Sequence, residues 1–266
     1  MSRGTSLGSV RGSPRMPLVL LPSADLLGLS RALVDSSAKG AISTANLPDE
    51  AVSSLAQRLL RPKTVRKPLH PLLSATATLF EQEVCNYQEK GLAVTMVADW
   101  AQSLGLPSRH VLALEQAVDE LLLNALYDAP RGPLGTPRYA EIPPSERVLI
   151  QALPGESAWV RFASDGSRLA VGVSDRMGQL RRHTVLSYLE RCASAQLRHQ
   201  SPLEDKTSGS GVGLFLTAMA ASELLFRLRQ GQSTEIVFCQ YLSRPRPLRV
   251  LVVDDDAHSP LSSSQT

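Results

Sequence analysis

Cysteine is scarce in this chain of 266 residues. Cys85, Cys192 and Cys239 are odd in number, far apart and without any Cys-x-x-Cys spacing. That argues against a disulfide framework and a zinc site, and for reduced thiols in a cytoplasm. Long apolar runs are lacking too. The longest early one, Pro17 to Pro22, falls short of a signal core and of the roughly 20 apolar residues that a spanning helix needs. Neither sign of charge dominates: 28 Lys and Arg against 25 Asp and Glu leave a net +3, too near balance for a dedicated nucleic-acid binder. No internal repeat is visible. What is abundant is apolar residue, 43% of the chain, ample for a core. The expectation is a soluble, cytoplasmic, globular protein with no membrane or nucleic-acid partner.

The chain divides by pattern. Residues 1–16 carry Arg3, Arg11 and Arg15 among Ser and Gly and read as a flexible leader. Residues 17–71 are weakly patterned, with a helix expected over Asp49 to Leu60. They end in the basic, Pro-punctuated stretch RPKTVRKPLHP, which suits a linker and places a domain boundary there. From residue 72 to 243 the pattern tightens. Helices are expected over Leu72 to Gln88, Val94 to Leu104 and, capped by Ser108, a long one to Ala129. Antiparallel strands are expected over Arg147 to Leu153, Ala158 to Ala163 and Leu169 to Ser174. A helix over His183 to Ala193 precedes a polar stretch, Gln196 to Ser210, of the length of a lid. A helix from Gly211 to Ser222 and two strands turning at Gly231-Gln232 follow. This order implies an α+β fold, a two-layer sandwich with helices on one face of a mixed sheet. Residues 244–266 read as a tail.

Three features carry chemistry. In ALEQAVDELLLNALYDAP, Val111, Leu114, Val118, Leu121, Leu122 and Ala125 share one helical face, while Gln116, Glu120, Asn124 and Asp128 form a ridge four residues apart. Such a ridge is either a solvated edge or a carboxylate and an amide facing a hydrated metal and a phosphate chain. In AVGVSDRMGQL, Asp175 ends a strand before Gly178 and is either a turn residue or an acceptor for an exocyclic amine. In GSGVGLFLTA, Gly209, Gly211 and Gly213 alternate before a helix, for close packing or to offer backbone N–H groups to phosphates.

Taken in order, Glu120 and Asn124, Asp175, the lid, the three glycines and then Thr234 resemble the GHKL ATP-binding domain of histidine kinases, anti-sigma-factor serine kinases, gyrase-type ATPases and heat-shock chaperone ATPases. ADWAQSLGLPSRHVLALEQAVDELLLNALYDA is similar to the anti-sigma-factor branch. The resemblance spans about Leu72 to Leu242 and implies a Bergerat-type fold that binds ATP and Mg2+. It implies that Asn124 coordinates the magnesium, that Glu120 is catalytic, and that Asp175 reads the adenine amino group above the turn at Gly178. It also implies that Gly209, Gly211 and Gly213 form the second glycine box and that Thr234 lies near the base.

The chain departs from the family pattern as well. Met177 and Gln179 stand where glycines are usual, and Asp128 where relatives carry His, Lys or Arg; Lys206 in the lid is a candidate replacement cation. His70 lies between prolines, and His110, His183 and His199 are isolated, so no phosphoacceptor histidine is recognisable. PLRVLVVDDD resembles the first strand and acidic pair of a receiver domain, without the rest of one. The function implied is a magnesium-dependent protein serine/threonine kinase or ATP-gated regulator of the anti-sigma type. Its partner would be a sigma factor, an anti-anti-sigma factor or a response regulator, and a homodimer is admitted. The alternatives are a nucleotide-binding module with little turnover and a histidine kinase lacking its phosphoacceptor domain.

Overall fold

The computed structural model describes residues 17–45, 47–60, 69, 72–73, 77–133, 135–139, 142–143, 145–197 and 212–255. Along the chain they form β1 (Leu18–Leu21), α1 (Leu26–Val34), β2 (Gly40–Ser43), α2 (Asp49–Leu60), β3 (Thr78–Val84), α3 (Tyr87–Ser103) and α4 (Ser108–Leu123). Helix α4 runs into a π-helical turn (Asn124–Asp128), and a short 3-10 turn follows at Arg147–Leu149. The order continues with β4 (Ala158–Ser164), β5 (Arg168–Asp175), α5 (Arg182–Leu197), α6 (Val212–Ala220), β6 (Glu223–Arg229), β7 (Ser233–Tyr241) and β8 (Val250–Asp255). Among the described residues, no helix is long and apolar enough to cross a membrane.

All eight strands lie in one sheet, in the order β1-β2-β8-β6-β7-β5-β4-β3. Only the β1/β2 and β6/β8 pairs are parallel. The period-2 alternation of side chains sorts the strands onto two cores. Leu169, Val171 and Val173 of β5, with Leu224 and Phe226 of β6, face a large cluster shared with α1, α3, α4, α5 and α6. Ala170, Leu225, Val237, Val250 and Val252 face the other way, onto Leu55 and Leu59 of α2 and onto Leu69, Leu72 and Leu73. The expected sandwich is therefore present, and its second face carries α2 besides.

Two local expectations differ from the structure. No helix spans Leu72 to Gln88: β3 occupies its second half, and α3 starts at Tyr87 because Asn86 caps it. The Asn86 side chain accepts from Glu89 N at 2.9 Å, and Glu89 Oε2 reaches back to accept from Cys85 N at 2.7 Å. The pattern Asn-x-x-Glu works as a variant of the capping box, with Glu89 reaching the amide one residue before the cap. The strand expected at Arg147 to Leu153 is instead the 3-10 turn plus a single bridge, Asn86 to Gln151. The place beside β4 is taken by β3 in full register, Thr78 opposite Ser164 through Val84 opposite Ala158.

The segments read as separate, 17–71 and 244–266, both contribute to this sheet. β8 lies between β2 and β6 and is buried along five of its six residues. At its acidic end, Asp254 is paired with Lys39 and Arg229, and Asp255 lies 3.8 Å from Arg182.

Candidate functional site

The ridge on α4 is the natural starting point. The stripe expected to be buried is buried: Val111, Leu114, Val118, Leu121, Leu122 and Ala125 all lie in the larger core. That fixes the rotation of α4, leaving Gln116 exposed and Glu120, Asn124 and Asp128 half-buried. Glu120 and Asn124 are covered by the start of α6. A methyl group built on Gly213 would lie 2.8 Å from Glu120 Cβ, 3.1 Å from its Oε2 and 3.4 Å from Asn124 Nδ2. Only a residue without a side chain lets these two helices approach so closely. Gly213 is thus brought onto Glu120 and Asn124, across about 90 residues of chain. Gly209, Gly211 and Lys206 lie outside the described residues.

At Asn124 the helix loosens. Its carbonyl accepts from Ala129 N at 2.9 Å, the i to i+5 bond of a π-turn, a distortion frequent at functional positions. The turn packs Ala125, Leu126 and Tyr127 inward against β5. Tyr127 is 1% exposed and its hydroxyl finds no hydrogen-bond partner among the described residues. Burial pushes that phenol's pKa up, and Tyr87 adds to the rise. Nothing in the sequence signals the π-turn.

Asp128, the last member of the ridge, meets cations. Arg147 Nη1 lies 3.9 Å from its Oδ1. Burial raises the carboxyl pKa, while Arg147 and Arg131 pull it down. The two arginines, which no motif in the sequence marks, bring positive charge beside the π-turn, Arg147 from the 3-10 turn.

The second group gathers at the end of β5. Asp175 lies opposite Thr234 of β7 in the sheet register. Its Oδ1 accepts from Met177 N at 2.7 Å and from Gly178 N at 2.9 Å, and Thr234 also hydrogen-bonds to it. Burial nevertheless dominates and raises its pKa above the ordinary value. Gly178 has φ +60, and a methyl there would strike Arg229 O at 2.1 Å and the backbone nitrogens of Gln232 and Ser233 at 2.7 and 2.8 Å. The turn therefore seats on the tip of the β6–β7 hairpin, which leaves room for no side chain at this position. Gln179 is itself a tie: its Oε1 accepts from Arg131 Nε at 3.2 Å and its Nε2 donates to Met177 O at 3.1 Å.

Glu120, Asn124 and Gly213 thus form one contact group, and Asp175, Gly178 and Thr234 another. The π-turn against β5 and the Arg131–Gln179 bond connect the two. Chemically, the first group offers a carboxylate and an amide beside a bare backbone at a helix start. The second offers a buried carboxylate acceptor at a sheet end.

No family model and no curated protein matches the chain. Among solved structures, a chain in the crystal structure of the SiaB–SiaC complex from Pseudomonas aeruginosa is similar, with 13% identity and a TM-score of 0.40 over 61% of this chain and 88% of that one. A likeness of that size carries no inference about activity or partner, and the function is argued from the chain's own residues.

Proposed function

We propose that this protein binds ATP with magnesium in a GHKL-type site and acts as a signalling regulator on a partner protein. The observation that carries the reading is the approach at Gly213, whose missing side chain lets the start of α6 lie directly on Glu120 and Asn124. That puts the carboxylate and the amide beside the first turn of a helix, the kind of place where backbone N–H groups can hold a phosphate chain. Asn124 Oδ1 would hold the magnesium, which takes oxygen ligands and keeps several waters. The buried Asp175 carboxylate, with Thr234 beside it, would accept from an adenine amino group and so select the base. The bound nucleotide supplies the transferable phosphoryl group; Glu120 would take the proton from a partner's Ser or Thr hydroxyl, and the site's cations would offset the charge. A sigma factor, an anti-anti-sigma factor or a response regulator is the kind of partner this implies.

One observation favours a second reading, a nucleotide-gated interaction module with little turnover. Gln179 replaces a glycine and is tied on both sides, so the base-side turn is more rigid than a glycine-rich one.

Calorimetric titration with ATP and ADP, with and without magnesium, tests both readings. Wild type is expected to bind ATP, and Asn124→Ala to lose the magnesium dependence. Asp175→Asn is expected to bind at least about tenfold more weakly, because the acceptor for the amine is lost. Glu120→Ala should keep binding and lose phosphoryl transfer; if neither protein transfers phosphate, the interaction module is the function. No heat with millimolar ATP on the wild type removes both readings.

A further inference from the structure

The motif VLVVDD ends where the turn after β5 is held in place. Asp254 is 2% exposed. Its Oδ1 accepts from Lys39 Nζ at 3.2 Å and its Oδ2 from Arg229 Nη2 at 3.3 Å. Arg229 Nη1 adds bonds to the backbone oxygens of Asp254 at 3.2 Å and Leu228 at 3.3 Å. Arg229 is the last residue of β6, and its carbonyl closes the hairpin by accepting from Gln232 N at 2.9 Å. That same carbonyl is the atom against which Gly178 is packed. Two further bonds join the hairpin tip to the turn: Gly231 N to Gly178 O at 3.1 Å, and Gln230 Nε2 to Leu180 O at 2.9 Å.

The arrangement is a chain of rigid contacts. A buried carboxylate on β8 fixes the guanidinium of Arg229, the guanidinium fixes the tip of β6, and the tip fixes the turn that carries Asp175. We infer that Asp254 and Arg229 form a strut that positions the turn Asp175–Leu180, so that the strand shared with the N-terminal segment also sets the geometry of the candidate site. Arg229 and Asp254 are positioning residues, acting through Gly178 and Asp175. Lys39 is the contrast: it too meets Asp254, but it lies beside β2, away from the hairpin.

The effect of the strut on the turn stands by itself, and its effect on nucleotide affinity rests on the function proposed above. The turn is read by hydrogen exchange on the full chain, at the amides of Met177 and Gly178, which donate to Asp175. In Arg229→Ala these amides are expected to exchange about tenfold faster than in wild type, since local opening no longer works against the strut. In Lys39→Ala they should stay within about twofold, although an Asp254 ion pair is lost there too. Unchanged exchange in Arg229→Ala, or equal loosening in Lys39→Ala, overturns the strut. Should Arg229→Ala not fold, Arg229→Lys keeps one charged donor and should give a smaller acceleration at the same two amides; none overturns it. ATP titration of the same variants should show binding about three- to tenfold weaker in Arg229→Ala and near wild type in Lys39→Ala. Equal ATP affinity in all three proteins removes the link to the ligand. If wild type binds no ATP, the proposed function fails, and the exchange data still decide the strut.

Discussion

Asp175 is the residue whose chemistry and stability pull apart. Burial raises its carboxyl pKa above the ordinary 3.8, outweighing the hydrogen bonds from Gly178, Met177 and Thr234. A group that holds its proton more tightly folded than unfolded favours the folded state fully below the unfolded pKa. That contribution is lost as pH rises through the raised folded value. Above the unfolded value the group is therefore a cost to folding. Asparagine keeps the shape and cannot ionise: its Oδ1 can accept from the Met177 and Gly178 amides, while its Nδ2 gives up the bond that the Thr234 N–H donates to the carboxylate. Asp175→Asn is expected to flatten the fall of Tm as pH rises above about 4. A lower Tm with an unchanged pH slope, measured by calorimetry across that range, would contradict the assignment. A buried acid retained at a cost to folding marks a position with another duty.

At the scale of elements, two helical glycines make opposite predictions. Gly91, inside α3, has nothing within 4 Å of the place a methyl would take, while Gly213, inside α6, has Glu120 and Asn124 there. In an unobstructed helix, Gly to Ala is worth about 0.5–1 kcal/mol of stability. Gly91→Ala should gain that amount in urea titrations. Gly213→Ala has the same propensity gain but must push α6 off α4, and should lose about 1–3 kcal/mol, as overpacking does. Equal gains in both variants would mean that the α4–α6 approach is looser than described. This contrast also measures what the sequence could tell. The stripe on α4 and the helix after the glycine run were legible because their apolar spacing is helical, and β6 and β7 because a glycine turn separates two apolar runs. β3 was not, because six of its seven residues are exposed and TLFEQEV carries no alternation to betray an edge strand. The ridge of Glu120 and Asn124 was legible as a pattern, but the pressing of Gly213 onto it depends on tertiary packing. Arg131, Arg147 and the π-turn left no local trace at all.

At the scale of the whole molecule, strand order decides how many folding units there are. The sequence places a boundary near Arg61 to Pro71 and a tail over residues 244–266, since charge and proline runs look like linkers. Pairing partners in a sheet are set by long-range contacts that no local pattern encodes, and here β8 returns from the far end of the chain to lie between β2 and β6. Helix α1 packs on α5 within the larger core, Arg31 Nε lies 3.1 Å from Glu190 Oε1, and Arg182 donates to the carbonyls of Leu33 and Ala38. With strand, helix and hydrogen bonds all crossing the supposed boundary, the described residues should unfold as one unit. The two tryptophans make this measurable, because Trp100 on α3 and Trp159 on β4 sit toward the β3 edge of the sheet, several strands from β8. Val252 is fully buried in β8, facing α2. An unpaired carboxylate there costs several kcal/mol. Val252→Asp is therefore expected to lower the urea midpoint of tryptophan fluorescence and of far-UV circular dichroism together, with one transition in each. If the tryptophan transition stays at its wild-type midpoint while the dichroism loses an early fraction, the N-terminal segment and β8 form a separate unit, and the strut between Asp254 and Arg229 cannot carry strain from one to the other.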